Sequence, residues 1–147
     1  MVTKAESHQR RMAHREKIES AAMYCHFMVA GGWVTIAAFE LVGGELVYGL
    51  SLCAPEDQFS RKRGRDAALK RLIAADRGWS LGKFPVAGKT TCVPPVTVAK
   101  LREVVVCHLD ASVRLSKLVP VWLMDAARER NFCDLVSGPN GAVWNGR

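Results

Sequence analysis

The sequence predicts an α+β fold, in which a three-stranded antiparallel meander packs with flanking helices and is followed by extra C-terminal helices. Two Gly-Gly pairs bracket a β-branched and aromatic run at residues 33–42, which is typical of strands joined by tight turns. The segments on either side, 3–23 and 57–72, have helical patterning. With 147 residues and 49% apolar content, the chain can bury the core of one domain.

The first predicted element is a helix over residues 3–23. Thr3 and Glu6 have the spacing of a capping box, and the segment contains neither Gly nor Pro. Its apolar stripe is confined to the end, from Ile18 to Cys25. We therefore expect the first half of this helix to be solvated or to contact a partner.

The meander is predicted from the Gly-Gly pairs at 31–32 and 43–44. Both residues of such a pair can take a positive φ, so two-residue turns there give strands at roughly 24–30, 33–42 and 45–53. In the third strand, Leu46, Tyr48 and the apolar residues that follow alternate with small or polar ones. One face of the meander is therefore expected to be core and the other small or solvated.

Pro55, Glu56 and Asp57 are expected to form a turn and the start of the second helix, because acidic residues suit the positive end of a helix dipole. Its apolar positions share one arc, so the helix is expected to pack on the meander, with a glycine that permits close approach. The residues in this arc are Gly64, Ala68, Leu69, Leu72, Ile73 and Ala75.

Arg61 and Arg65 fall within the same arc, one helical turn apart. A buried guanidinium needs a partner, which leaves three interpretations open. The two side chains extend to solvent at the helix N-terminus, pair with a carboxylate such as Glu45 or Asp57, or bind an external anion.

The C-terminal half carries weaker signals. Residues 79–95 are rich in Gly, Pro and Thr and predict a loop with at most one short strand. A helix is expected over 97–117, although the run VVVC within it would also suit a strand, and Pro120 should begin a final helix. The expected organisation is a helix-meander-helix unit at 1–78 and a loop at 79–95. A C-terminal helical part of the same domain follows at 96–136, and then a flexible tail at 137–147.

The positive charge of the chain is concentrated. The net charge is +7, and residues 60–77 alone contain seven Lys or Arg against two Asp. Such a patch favours nucleic acid or the acidic surface of a protein or ribonucleoprotein. A membrane is not expected, because an aromatic-rich opposite face is missing. The candidate contact residues are Arg61, Lys62, Arg63, Arg65, Lys70 and Arg71, with Trp79 in the loop that follows.

No catalytic motif emerges, and neither a cofactor nor a metal is predicted. The run GKFPVAGKTT at 82–91 misses the spacing of a phosphate-binding P-loop by one residue, and Pro85 removes a donor. Five cysteines without a C-x-x-C pair suggest neither a disulfide framework nor a zinc site. Free thiols and a polar N-terminal segment indicate a reducing cytosol.

The order helix, meander, helix over residues 4–75, with SRKRGRDAA at the start of the second helix, resembles double-stranded RNA-binding domains. This resemblance implies that Arg61, Lys62 and Arg65 lie against phosphates across the major groove of a duplex. A tight Gly31-Gly32 turn stands where that family has a longer loop.

The longer run GLSLCAPEDQFSRKRGRDAALKRL looks like one found in small proteins of bacteriophages and prophages. This likeness implies an accessory role in a bacterial host cytosol, including that of an anti-CRISPR-type inhibitor that binds a nuclease or guide complex. The same helix start is similar to the pyrophosphate loop of acetyltransferases, but Asp66 replaces a required glycine. A non-enzymatic nucleic-acid-binding protein is the favoured prediction, with the inhibitor and then the enzyme as alternatives.

Overall fold

A computed structural model describes residues 3–78, 87–115, 119–137 and 144–145, and it confirms the α+β class. Antiparallel strands form a sheet in the order β4-β3-β2-β1-β5, and β6 also pairs with β1. The elements in chain order are α1 (Lys4–Ala21), β1 (Met23–Val29), β2 (Gly32–Glu40), β3 (Glu45–Cys53), α2 (Arg61–Asp76), β4 (Ala87–Thr91), α3 (Val98–Leu115), α4 (Val121–Glu129), α5 (Phe132–Leu135), β5 (Val136–Ser137) and β6 (Trp144–Asn145).

The first hairpin turn lies one residue earlier than the Gly31-Gly32 pair predicts. Ala30 and Gly31 form it, with φ values of 49° and 85°, and Gly32 already pairs with Val29 in the sheet. A Cβ atom on Gly32 would lie 2.6 Å from the Cys53 carbonyl oxygen and 3.0 Å from the Trp122 ring. Packing therefore requires a glycine at position 32, whereas the turn itself depends on the positive φ of Ala30 and Gly31.

The second connection is longer than the two residues expected. Residues 41–44 separate β2 from β3, and the Leu41 N–H donates to the Glu45 carbonyl oxygen at 2.7 Å. Gly43 and Gly44 both have positive φ. The glycines thus mark the turn correctly, but a four-residue loop joins the strands.

Helices cover both faces of the meander, so the second face is not solvated, while Gly49 on that face is small, as expected, and lies against α2. Leu46, Tyr48 and Leu50 of β3 join one apolar cluster with α3, α4 and α5. Val47 belongs to a second cluster on the opposite face, with residues of α1 and α2. Since each face has its own helical layer, seven of the nine residues of β2 and five of the nine residues of β3 are buried.

Helix α2 packs on the sheet as predicted, but it begins at Arg61 rather than at residues 55–57. A turn comes first, in which the Asp57 N–H donates to the Ala54 carbonyl oxygen. The Ser60 hydroxyl then caps the helix by accepting from the Arg63 N–H at 3.3 Å. Gly64 permits the close approach, because a Cβ atom there would lie 2.4 Å from Thr35 Oγ1.

The C-terminal part confirms the helix predicted over 97–117, where α3 buries Leu101, Val105 and Leu109 at four-residue spacing. Pro120 precedes α4, which ends at Glu129 and is followed by α5. Within the predicted tail 137–147, Trp144–Asn145 form β6 beside β1. None of the described helices is both long enough and apolar enough to cross a membrane.

Candidate functional site

The net charge of the chain comes from one layer of the fold. We define the basic layer as α1, α2 and the following Arg77. It contains twelve Lys or Arg against five Asp or Glu, a balance of +7, whereas the rest of the sequence contains nine of each. One face of the sheet therefore carries the charge that is available to attract an anion.

The two helices of this layer are antiparallel neighbours. Glu19, near the end of α1, lines a groove with Asp66, near the start of α2. At the other end, His14 Nε2 lies 2.8 Å from the Asp76 carboxylate oxygen Oδ2. The middle of α1 consequently lies beside the last turn of α2, and Ile18 is the buried residue of this helix.

The start of α2 concentrates cations at the positive end of the helix dipole. Arg61, Lys62 and Arg63 are exposed there, and Arg65 is half-buried. The ion pairs seen between described residues do not include Arg65, so the carboxylate pairing considered for it is not observed. Side-chain charge and helix dipole act in the same direction at this end, and both favour an anion.

A buried histidine lies beneath this helix start. His26 Nδ1 is 2.7 Å from Thr35 Oγ1, and the edge of its ring contacts Phe59, which in turn stacks on Trp33. Burial, together with the positive charges of Arg61 and Arg65, lowers the pKa of His26 to about 4. The imidazole is therefore neutral near pH 7 and serves the packing under α2.

The buried imidazole makes stability depend on pH. The pKa of His26 is lower in the folded chain than its unfolded value of about 6.5. The contribution of the neutral imidazole to the free energy of unfolding is therefore complete above about pH 6.5 and is lost as the pH falls toward 4. We expect it to amount to about 3 kcal/mol, measured by urea unfolding at about pH 7, 5.5 and 4.5. His26→Gln serves as the control, since its unfolding free energy should depend less on pH in this range. Equal pH dependence of the two proteins would contradict the prediction.

Arg71, one of the predicted contact residues, is tied to the sheet. Its Nη1 donates to the Leu50 carbonyl oxygen at 2.6 Å, and burial lowers the pKa of the guanidinium. The neighbouring Lys70 is exposed and lines the groove between α1 and α2. The adjacent cations of α2 thus have different environments. Trp79, the remaining predicted contact, lies outside the described residues.

Arg71→Met is expected to lower the free energy of unfolding by about 2 kcal/mol, because it leaves a partly buried carbonyl oxygen without its charged donor. Lys70→Met is the matched control and should change the unfolding free energy by less than about 0.5 kcal/mol. Denaturant unfolding of both variants measures the difference. Equal stabilities would mean that the bond from Arg71 to Leu50 contributes nothing to the fold.

A groove runs along the junction of α1 and α2, and we call it the seam groove. It consists of three adjoining cavities of about 340, 310 and 600 Å³, and Arg15 and Arg77 line all three. Sequence reasoning missed the arginines on its α1 side, Arg10, Arg11 and Arg15. The available signal was the polar first half of α1, in which Arg11 and Arg15 stand one turn apart.

A further cavity of about 350 Å³ lies between β3, β4 and α3. Tyr48, which lines it, has its hydroxyl 2.9 Å from His108 Nδ1, and burial raises the pKa of this tyrosine. Cys92 and Cys107 also line this cavity. Among the residues that the structure describes, no group of three His, Cys, Asp or Glu is placed to hold a metal ion.

Comparison with models of protein families, with curated proteins and with solved structures gives no match for this chain.

Proposed function

We propose that the protein is a small, non-enzymatic nucleic-acid-binding protein whose basic layer contacts the phosphate backbone. The observation that carries this proposal is the segregation of charge, since α1, α2 and Arg77 hold a balance equal to the +7 of the whole chain. A surface of this kind provides the electrostatic part of nucleic-acid binding. An accessory role in a bacterial host cytosol belongs to the same proposal.

The start of α2 would supply the main contact. Arg61, Lys62 and Arg63 are exposed there, at the helix end where backbone N–H groups also favour anions. Contacts of this type position a protein on a backbone without reading its sequence. A duplex is favoured over a single strand because Phe, Tyr and Trp, whose rings stack on unpaired bases, are missing among the described lining residues of the seam groove.

Fluorescence anisotropy with double-stranded RNA, double-stranded DNA and single strands, titrated over a range of salt, tests the proposal. If about six phosphates are neutralised, log Kd should rise with log salt with a slope of about 5 for a duplex. Duplexes should bind more tightly than single strands. Absence of binding to every one of these ligands at low salt would overturn the proposal.

A second candidate is binding to an acidic protein, as an inhibitor of a host defence complex. The observation that favours it is the apolar part of the seam groove lining, Leu69, Ile73 and Ala74, which nucleic-acid phosphates would leave unused. In that case the purified protein should bind a nuclease or guide complex and bind generic nucleic acid poorly. Comparing the two affinities at the same salt concentration distinguishes the candidates.

A further inference from the structure

We infer that the basic layer has a second phosphate-binding site, at the end of the seam groove where α1 lies beside the last turn of α2. We call it the seam site, and it consists of Arg10, Arg11, Arg15 and Arg77. It rests on the proposed function, because it would hold phosphodiester groups of the same nucleic acid that the start of α2 contacts.

Four arginines from two sides meet in this part of the groove. Arg11, Arg15 and Arg77 line both of its cavities, of about 310 and 600 Å³, and Arg10 lines the first. Asp76 is the carboxylate among the described lining residues of these two cavities, and it is held by His14 at 2.8 Å. The local charge balance therefore favours an anion.

The ion pair of Arg15 leaves most of its hydrogen-bond donors available to a ligand. Arg15 pairs with Glu19 through its Nε at 2.9 Å, which occupies one of the five N–H donors of a guanidinium. Arg11 and Arg15 stand at i and i+4 on α1, a spacing at which like charges destabilise a helix by a few tenths of a kcal/mol. A bound phosphate would relieve this repulsion, and arginine pairs suit phosphate oxygens geometrically.

The position of the seam site in the fold explains why arginine side chains must supply its positive charge. The seam site lies at the C-terminal end of α2, where the helix dipole is negative and backbone amides do not face an anion. Binding there has to come from side-chain cations. Arg10, Arg11 and Arg15 are exposed, so their side chains can contact a phosphate without disturbing the core.

The spacing of the two sites sets the ligand length. From Arg61 to Arg77 the backbone of α2 rises by about 24 Å. At 3.4 Å per base pair, this distance corresponds to about seven base pairs of duplex. A duplex lying along α2 can therefore reach both sites, whereas a shorter one engages a single site.

The test uses the variant Arg10→Glu with Arg11→Glu, on a duplex of about 20 base pairs and on a hairpin whose stem has about six. On the long duplex we expect at least about tenfold weaker binding near 0.1 M salt, and a salt slope smaller by about two. On the hairpin, whose stem is too short to reach both sites, the loss should be about threefold or less.

Arg114→Glu with Arg130→Glu is the matched control, because it makes the same change in net charge at exposed positions outside the basic layer. It should retain the affinity and the slope of the wild type. Circular dichroism verifies that each variant is folded, and Arg10→Gln with Arg11→Gln replaces the first variant if that one is not. The replacement should also lower the salt slope by about two, because it removes the same two phosphate contacts.

Three results would overturn the seam site. If its variant binds the long duplex as the control does, while Arg61→Glu with Lys62→Glu binds weakly, the seam site is wrong and the proposed function stands. If the long duplex and the hairpin lose affinity equally, the two-site arrangement is wrong. If the wild type binds no nucleic acid, the seam site and the proposed function are both wrong.

Discussion

Gly49→Ala is expected to lower the free energy of unfolding by about 3 kcal/mol or more, because the new Cβ atom would overlap the backbone of α2. It would lie 2.3 Å from the Ala68 carbonyl oxygen, 2.4 Å from the Leu72 nitrogen and 2.9 Å from the carbonyl carbon of Arg71. Backbone atoms cannot rotate away as the end of a side chain can. The helix would have to move off β3, which also separates Arg71 from Leu50.

The control for this prediction is Gly43→Ala, in the loop between β2 and β3. A Cβ atom there has nothing within 4 Å, so its cost is limited to the strain of a positive φ of 94°, about 1–2 kcal/mol. Denaturant unfolding of both variants distinguishes the cost of atomic overlap with α2, in Gly49→Ala, from the cost of backbone strain, in Gly43→Ala. A smaller loss for Gly49→Ala than for Gly43→Ala would mean that α2 does not pack directly on β3.

Reversing the charge of Arg61 and Lys62 together is expected to weaken duplex binding by at least about tenfold near 0.1 M salt, with a salt slope smaller by about two. Both residues are exposed in the first turn of α2. Acidic residues in a first turn favour the helix dipole, so Arg61→Glu with Lys62→Glu should leave the fold intact. Loss of binding can then be assigned to lost phosphate contacts.

Anisotropy titration measures this loss, again beside Arg114→Glu with Arg130→Glu, which changes the net charge equally. The control should bind like the wild type, because its two positions lie outside the basic layer. Similar losses in both variants would show that total charge, rather than the start of α2, governs binding.

Local patterns in the sequence predict the helices and strands of the meander unit, but long-range contacts decide its details. The reason for a glycine at position 32 lies in distant residues, because an added Cβ atom would meet the Cys53 carbonyl oxygen and the Trp122 ring of α4. Likewise, the alternation in β3 predicts one face that is small or solvated and does not decide between the two, because nothing local indicates that a helical layer covers each side.

The candidate site likewise has one part that the local sequence predicts and another that depends on long-range contacts. Arg61, Lys62 and Arg63 are adjacent in sequence, so their grouping can be read directly. The seam site joins α1 to Arg77, and this requires the antiparallel packing of two helices that are separated by the meander. The inward bond of Arg71 could not be predicted either, because its partner is a backbone carbonyl of another element.

Backbone amide chemical-shift mapping of the labelled protein with a duplex of about 20 base pairs tests the central claim most directly, since it shows which face the ligand contacts. We expect the shifts to concentrate in α1 and α2, at the start of α2 and along the seam groove, while α3 and α4 remain unchanged. Shifts centred on α3 and α4, or no shifts at low salt, would contradict the assignment of nucleic-acid binding to the basic layer.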